Sequence, residues 1–539
     1  MGVEQAIDIT SSQRKIVLAL IQQYLPGVAV WAYGSRVKWT SRPQSDLDLV
    51  AFASPEQKDQ VGDLREAFEE SDLPFRVDLF VWDEVPESFK EQIEAEYVEL
   101  AERGNISNRW KNLPLNALTD IRFSNVDKKI DQSEVDVCLC NYKDVYYNNF
   151  ICSDMEFMKA TATEREIKKC ALCKDDVVIT KDSEKYDDIG VPALVRENIK
   201  GLVCGYHLAI IRPLEQIYGP YLFYALSALP AQKQFHSYAN GVTRFGLRKA
   251  DIGAVELPVP SHSEQRAIAH ILSTLDDKIE LNRRMNETLE EIARALFKSW
   301  FVDFDPVRAK MKNRDTGLPK HIADLFPDRL MESELGHIPE GWEIKPLDKI
   351  AQFLNGLALQ KFPALDHQNS LPVIKIAELR NGISARTDRA SHAVPSQYIV
   401  KDGDFLFSWS GSLLAKFWSG GNGALNQHLF KVTSSQYPAW FFSQWIYFHL
   451  REFRGIASAK ATTMGHIQRG HLAAAITTCA PDSAIKGLGE IFVPLVDRML
   501  KNDLESRTLK ILRDILLPRL IFGDISTKSL SYSSLVDSA

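Results

Sequence analysis

Two stretches of the chain repeat an apolar residue at steps of three and four. From Glu264 to Phe301 no Pro or Gly interrupts, and Ile268, Leu272, Leu275, Ile279, Leu289, Ile292 and Leu296 recur near that spacing, which is that of a coiled-coil seam. Leu495, Met499, Leu509, Leu512 and Leu516 repeat the pattern. Asn282 and Asn286 fall near the middle of the first seam and Asn502 near the middle of the second. A buried Asn there costs stability but fixes register. One such stretch alone reads as the apolar face of a bundle helix. Two in matching register offer each other a partner, and predict two long helices paired as an antiparallel coiled coil.

The helices belong to an internal repeat. LDDKIELNRRMNETLEEIARALF from Leu275 and LVDRMLKNDLESRTLKILRDILL from Leu495 align at an offset of 220, matching Leu275 with Leu495, Asp277 with Asp497 and Asn282 with Asn502. His207-Leu208 and His428-Leu429 nearly share it, at 221. Upstream the offset grows to 232, pairing Trp110 and Pro114-Leu115 with Trp342 and Pro346-Leu347. Ahead of each helix lie about 150 residues of short β-type runs, such as DDVVIT and GDFLFSW, broken by Gly, Pro, Asn and Asp. Residues 1–104 read differently. Alternation in LDLVAF and FRVDLFVW predicts strands, and 11–25, 56–70 and 86–102 predict flanking helices. The expected fold class is α+β multidomain: a small α/β domain over 1–104, a β-rich domain over 108–262 with its helix over 263–312, and a second over 340–483 with its helix over 484–525.

Composition is that of a globular chain, with 45% hydrophobic and 25% charged residues in 539. No run of about 18 apolar residues is present, so no membrane span is expected. MGVEQAIDIT has no basic region leading into an apolar one, and the seven cysteines are scattered. A cytoplasmic location is expected from both. Cys138-x-Cys140 and Cys170-x-x-Cys173 invite a zinc reading, but VDVCLCNY reads as a strand with both cysteines on one face, where thiols serve as hydrophobes. The net charge of −7 splits unevenly. Residues 1–104 hold 10 Lys and Arg against 20 Asp and Glu, a net of −10, leaving +3 for the rest. That remainder permits contact with DNA without requiring it.

The acidic block also carries candidate chemistry. Asp46 and Asp48, two apart on a strand, point to one face; with Asp78 they could hold a divalent metal against a triphosphate. Gly34-Ser35 allows backbone N–H groups close to phosphates, and Arg36 could add charge there. In GSRVKWTSRPQSDLDLV and FRVDLFVW the block resembles the small nucleotidyltransferases of the polymerase-beta superfamily. The resemblance implies that Asp46, Asp48 and Asp78 are catalytic and metal-binding, that Gly34, Ser35 and Arg36 bind nucleotide, and that Mg2+ and an NTP are used. Small domains of this kind can modify a partner protein. Members often show Gly-Ser-Arg-Ala-x-Gly; here the last position is Trp39, which makes activity conditional.

The remainder resembles another family. SNVDKK (124–129), NYKDVYYNN (141–149), ITKDSE (179–184), ALFKSWFVDFDPVRAKM (295–311), NQHLFKV (426–432) and TTMGHIQRGHL (462–472) are similar to specificity subunits of type I restriction-modification enzymes. The resemblance covers about 108–525. It implies two target-recognition domains, each reading half of a split, asymmetric double-stranded DNA site, with the helices as spacer. It also implies two methyltransferase subunits and two ATP-driven translocase-nuclease subunits as partners, and a role in bacterial defence. No GxxxxGK[ST] loop or glycine-rich donor fingerprint is present, so no cofactor and no catalysis are expected of this part.

DNA contacts are expected at Lys181, Arg244, Trp409, Ser410, Lys460 and Arg469, loop residues with suitable heads beside aromatics. His207 and His428 read as core histidines. Asp303 and Asp305 read as a helix end packed by Trp300, Phe301 and Phe304 rather than a metal pair, and that end is expected to dock on the helices and a methyltransferase subunit. Two alternatives to a specificity subunit with a fused transferase remain. One is a nucleotidyltransferase acting on a partner protein or nucleic acid and targeted by its DNA-reading part. The other is two joined reading frames with an idle first domain.

Overall fold

The computed structural model describes residues 7–25, 28–38, 40–42, 45–53, 57–86, 89–90, 93, 96–101, 110–334, 336–364, 366, 370–384, 386–459, 465–525 and 527. Met1–Ser273 with Ile515–Ala539 form one compact unit, and Thr274–Asp514 the other. Among the described residues no helix is long and apolar enough to cross a membrane.

In the first unit the N-terminal domain is a four-stranded sheet of β1 (Val30–Tyr33), β2 (Leu47–Ala51), β3 (Val77–Val81) and β4 (Tyr97–Ala101), in the order β3-β2-β1-β4. Alternation sends Val30, Ala32, Leu47, Leu49, Val77 and Leu79 to one face, where Val17 and Ile21 of α1 (Ser11–Tyr24) and Val61, Leu64 and Phe68 of α2 (Lys58–Glu69) cover them. Thr10 and Gln13 cap α1 reciprocally. The helix expected over 86–102 is corrected at its end: Tyr97–Ala101 is an edge strand paired antiparallel with β1. Val98 and Leu100 carry a period of two there, and that period decides the element.

The first β-rich domain carries a five-stranded sheet in the order Thr119–Phe123, Leu208–Pro213, Val177–Thr180, Pro192–Val195, Phe150–Ile151. A three-stranded sheet joins Leu202–Cys204, Val135–Cys140 and Met158–Ala162. Cys140 and Cys204 are paired across parallel strands and lie with Cys170 in one buried apolar cluster. The domain's other core contains Ile268 and Leu272 from the start of the first long helix (His262–Phe301) and Leu520 and Ile521 from the end of the second (Asp482–Ile521).

In the second unit the same two helices run antiparallel. Asn282 is fully buried and its amide donates to Asn502 O at 3.3 Å and Glu505 Oε2 at 2.8 Å. Asn286 donates to Met499 O at 3.1 Å and accepts from Asn502 at 2.8 Å. The seam departs from expectation in two places. Ile292 and Leu512 point outward, 43% and 42% exposed. Ala293 and Phe297 take the inward positions instead, and Arg513 turns in to pair with buried Asp276 at 2.7 Å. Two adjacent apolar residues fit a 3.5-residue pattern almost equally, and only the partner helix selects one.

The second β-rich domain pairs Gln352–Asn355, Leu429–Thr433, Phe405–Ser408 and Ala415–Phe417 in that order, with a second sheet over Arg389–Ser391, Ser370–Ile374, Gly423–Leu425 and Ile399–Val400. Its core holds Phe297, Trp300 and Phe301 of the first long helix against Trp342, Trp440, Phe441 and Phe492. Trp440 stacks on Phe492 at 4.5 Å, and Phe301 meets Phe441 at 5.4 Å. The packed helix end is as expected, with Ser299 Oγ donating to Asp305 Oδ2 at 2.7 Å and Lys298 paired to Asp303. Trp300 and Phe301 themselves are held within this chain. They are 3% and 0% exposed, because an aromatic cage in the same chain already fills around them. Phe301→Ala is therefore expected to lower the thermal unfolding midpoint, at a cost of about 3–5 kcal/mol, whether or not a partner subunit is present.

Candidate functional site

On the face of the N-terminal sheet opposite α1 and α2, register builds the first site. Tyr33 pairs with Asp48, and Asp48 with Asp78, across three neighbouring strands. The two carboxylates are thus side by side. Burial, then Asp78, then Asp46 raise the Asp48 pKa above the usual aspartate range. Burial, then Asp48, then Asp78 push Tyr33 up to about 12. Gly34 has φ +80°, and a Cβ there would sit 2.3 Å from Asp48 Oδ2. Only glycine leaves Asp48 its place. The turn closes with Lys38 N–H on Gly34 O at 3.1 Å and Thr40 N–H on Ser35 O at 3.0 Å.

Two expected members of this site stand elsewhere. Arg36 is 5% exposed. Its guanidinium donates to Ser45 O at 2.6 and 3.0 Å and to Asp8 O at 2.8 Å, beneath the Phe75 ring at 3.9 Å. It shapes the loop into Asp46 rather than offering charge to a phosphate. Asp46 is exposed ahead of β2, and Arg76 pairs with Asp78 at 2.9 Å. Among the described residues no three His, Cys, Asp or Glu side chains are grouped to hold a metal. Asp48 and Asp78 face each other across neighbouring strands, and Asp46 stands just ahead of β2, near enough to raise the Asp48 pKa. The donor set still fits a hard divalent cation, having oxygen ligands only and a glycine cradle beside them. Trp39 lies outside the described residues.

The β-rich domains share a second arrangement. In the first, Lys181 N–H donates to His207 O at 3.1 Å and Leu247 N–H to Lys181 O at 2.9 Å, beside the pair Asp182–Gly246. In the second, Trp409 N–H donates to His428 O at 3.3 Å and Ile467 N–H to Trp409 O at 2.9 Å, beside the bridge Ser410–His466. The backbone frame is the same. In each, the histidine ring meets the side chain after the strand: His207 Nδ1 lies 2.9 Å from Asp182 Oδ2, and His428 Nδ1 lies 2.8 Å from Ser410 Oγ. Both histidines are half-buried in these clusters rather than in the core, which corrects that expectation. Their side chains sit at strand starts, where the sheet ends.

Arg244 NH2 lies 3.1 Å from the same His207 Nδ1. One ring nitrogen cannot serve both neighbours, since a guanidinium only donates and a carboxylate only accepts. The ring nitrogen lies between the Asp182 carboxylate and the guanidinium of Arg244, which is exposed. Lys181 is not a surface contact. Its side chain is 10% exposed, its ammonium is 3.1 Å from Asp182, and it lies 4.7 Å over the Tyr206 ring. Its charge therefore supports Asp182. Trp409 N–H donates to Asn355 Oδ1 at 2.9 Å and Gln427 O at 3.0 Å, and Ser410 is 3% exposed. Exposed Arg469 reaches Phe353 O at 3.4 Å. Lys460 lies outside the described residues.

Residues 123–291 match the family model for the type I restriction modification DNA specificity domain, and residues 15–105 the model for polymerase beta nucleotidyltransferases. The "Type I restriction enzyme MjaIX specificity subunit" of Methanocaldococcus jannaschii is 25% identical over 410 residues, 73% of this chain and 86% of that protein. The "Type I restriction enzyme HindI specificity subunit" of Haemophilus influenzae is 26% identical over 470 residues, 77% of this chain and 99% of that protein. The "Probable protein adenylyltransferase MntA" of the same organism is 46% identical over 99 residues, 18% of this chain and 86% of that protein. Together these likenesses support a type I specificity subunit fused to a polymerase-beta-type nucleotidyltransferase domain.

For the specificity subunit's fused domain, the carboxylate pair sets a trade between stability and chemistry. The folded-state pKa of Asp48 is raised, so the fold binds its proton more tightly than the unfolded chain does, and stability falls as pH rises through that range. Asp48→Asn is expected to raise the domain's unfolding midpoint at neutral pH, with the gain vanishing below about pH 4, and to abolish metal-dependent NTP binding. Unfolding and binding measured against pH check both halves.

Proposed function

We propose that this specificity subunit reads a split, asymmetric double-stranded DNA site, one half with each β-rich domain, and directs two methyltransferase and two translocase-nuclease subunits to it in the cytoplasm. The observation that carries the reading is the shared frame at the strand ends, filled by Lys181, Asp182 and His207 in one copy and by Trp409, Ser410 and His428 in the other. A duplicated scaffold with different side chains suits two unlike half-sites. Arg244 is the exposed head in the first, able to meet guanine or phosphate. A face for partner subunits is offered by Leu281 and Ile292, three turns apart on the first long helix and 53% and 43% exposed, and by Ile511 at 56% on the second.

The N-terminal domain is read as a metal-dependent nucleotidyltransferase with a protein acceptor. Asp48 and Asp78 would hold Mg2+, which when bound supplies positive charge to the phosphates of an NTP; Gly34 and Ser35 form the turn beside them. What supports this is the carboxylate pair with its glycine cradle, together with the likeness to a probable protein adenylyltransferase.

Mapping methylated bases in a genome expressing this chain with its partner subunits tests the first reading. A bipartite motif is expected, and methylation of one continuous motif would overturn it. Arg244→Ala is expected to weaken DNA binding, to lower the slope of log affinity against log salt by about one if it meets phosphate, and to change the first half-site only. Asp48→Asn in the same cells should leave the motif unchanged.

A further inference from the structure

The two frames at the strand ends differ in nearly every side chain. Lys181 stands where Trp409 does, Asp182 where Ser410 does, and Gly246 where His466 does. Among these positions only the histidine is the same, His207 in one copy and His428 in the other. Each gives its carbonyl to the frame, accepting from Lys181 N–H at 3.1 Å and from Trp409 N–H at 3.3 Å. Each ring engages the neighbouring side chain through Nδ1, at 2.9 Å from Asp182 Oδ2 and 2.8 Å from Ser410 Oγ. Those partners are a carboxylate and a hydroxyl, so the bond at Nδ1 is not what the copies have in common. What they share is an imidazole held at one place on the sheet end, with Nε2 left to a visitor. The rings are open enough for one: the His207 side chain is 38% exposed, and His428 is half-buried. The Gln427 amide lies 3.4 Å from Nε2 of His428.

We infer that His207 and His428 bind backbone phosphates at corresponding places in the two DNA half-sites, and read no base. Unlike half-sites present different base edges, and the chemistry common to both is the sugar-phosphate backbone. Side chains that differ between the copies suit the bases, and the side chain they share suits the phosphate. An imidazole N–H is a donor of the right kind for an anionic oxygen. Held by its carbonyl and by Nδ1, the ring loses little freedom when it binds. In the first copy exposed Arg244, 3.1 Å from Nδ1, adds positive charge beside it. Phosphate contacts fix where a protein sits on the duplex without choosing the sequence. The pair thus seats each domain on its half-site in one pose, and the unlike neighbours then meet the bases.

The inference rests on the half-site reading, and one experiment separates their failures. The full chain with its methyltransferase subunits is titrated onto a duplex carrying the mapped motif and onto a scrambled duplex, by fluorescence anisotropy. Asparagine sets its amide near the place of Nδ1, and glutamine near that of Nε2. His207→Asn and His428→Asn therefore keep the inner bond and lose the outer one; His207→Gln and His428→Gln do the reverse. Each Asn variant is expected to weaken binding of the motif duplex about tenfold, and each Gln variant by about threefold or less. The methylated motif should stay the same in both halves. Phosphates are then replaced one at a time by uncharged methylphosphonate. One replacement in each half-site should weaken the wild type about tenfold and the matching Asn variant no further. Asn variants that bind like the wild type, or Gln variants weaker than Asn variants, overturn the inference. So does a changed base in the motif, or losses that simply add at every phosphate. A wild-type complex with no preference for the motif duplex over the scrambled one sinks the half-site reading itself.

Discussion

Two buried asparagines hold the specificity part in register. The amides of Asn282 and Asn502, 0% and 1% exposed, cannot be left without partners at less than about 1–3 kcal/mol each. Only one alignment of the antiparallel helices gives Asn282 the Asn502 carbonyl and Glu505 while giving Asn286 the Asn502 amide. The same alignment brings Arg513 to buried Asp276; a slip of one turn would strand that carboxylate. Specificity is favoured over stability here, since the Asn282 Oδ1 has no hydrogen-bond partner among the described residues. A seam of leucines would bind more tightly and tolerate several registers.

The fused domain is governed by the opposite constraint, a repulsion at Asp48. Burial and the neighbouring Asp78 and Asp46 raise the cost of ionising Asp48, Gly34 is kept free of a side chain to fit Asp48, and Arg36 is spent on Ser45 O to shape the approach to Asp46. Structure that costs stability without improving packing is what a functional site looks like. It also argues against an idle first domain, because decay would remove the repulsion before it removed the core. Both domains therefore store unfavourable terms, one to fix geometry and one to hold charge.

Much of this was legible in the sequence, and the failures share a cause. The repeat, the two long helices and the strands carrying Asp48 and Asp78 follow from period alone. Period does not choose between neighbours such as Ile292 and Ala293, because the choice belongs to a helix some two hundred residues away. Nor does residue type reveal exposure. Lys181 looked like a loop cation, yet Phe123 and Tyr206 lie over its ammonium; His207 and His428 looked like core residues, yet both stand where a strand begins. The signal that could have placed the histidines was in the repeat, since both copies set a histidine one residue before the same strand.

The repeat shows a division of labour between backbone and side chain. In both copies the main chain makes the same bonds around the residue that follows the strand, so the frame is independent of what it displays. In the first copy it holds a charged set, buried Lys181 with Asp182, and exposed Arg244 beside them. In the second it holds half-buried Trp409 and buried Ser410, a ring and a hydroxyl. Under the proposed reading, charge-assisted hydrogen bonds serve the first half-site and apolar or stacking contacts the second. The first should then be the more salt-sensitive of the two. Such a frame lets the side chains at either position change while the main-chain bonds stay fixed. Register and recognition are thus carried by different atoms, and either can change without cost to the other.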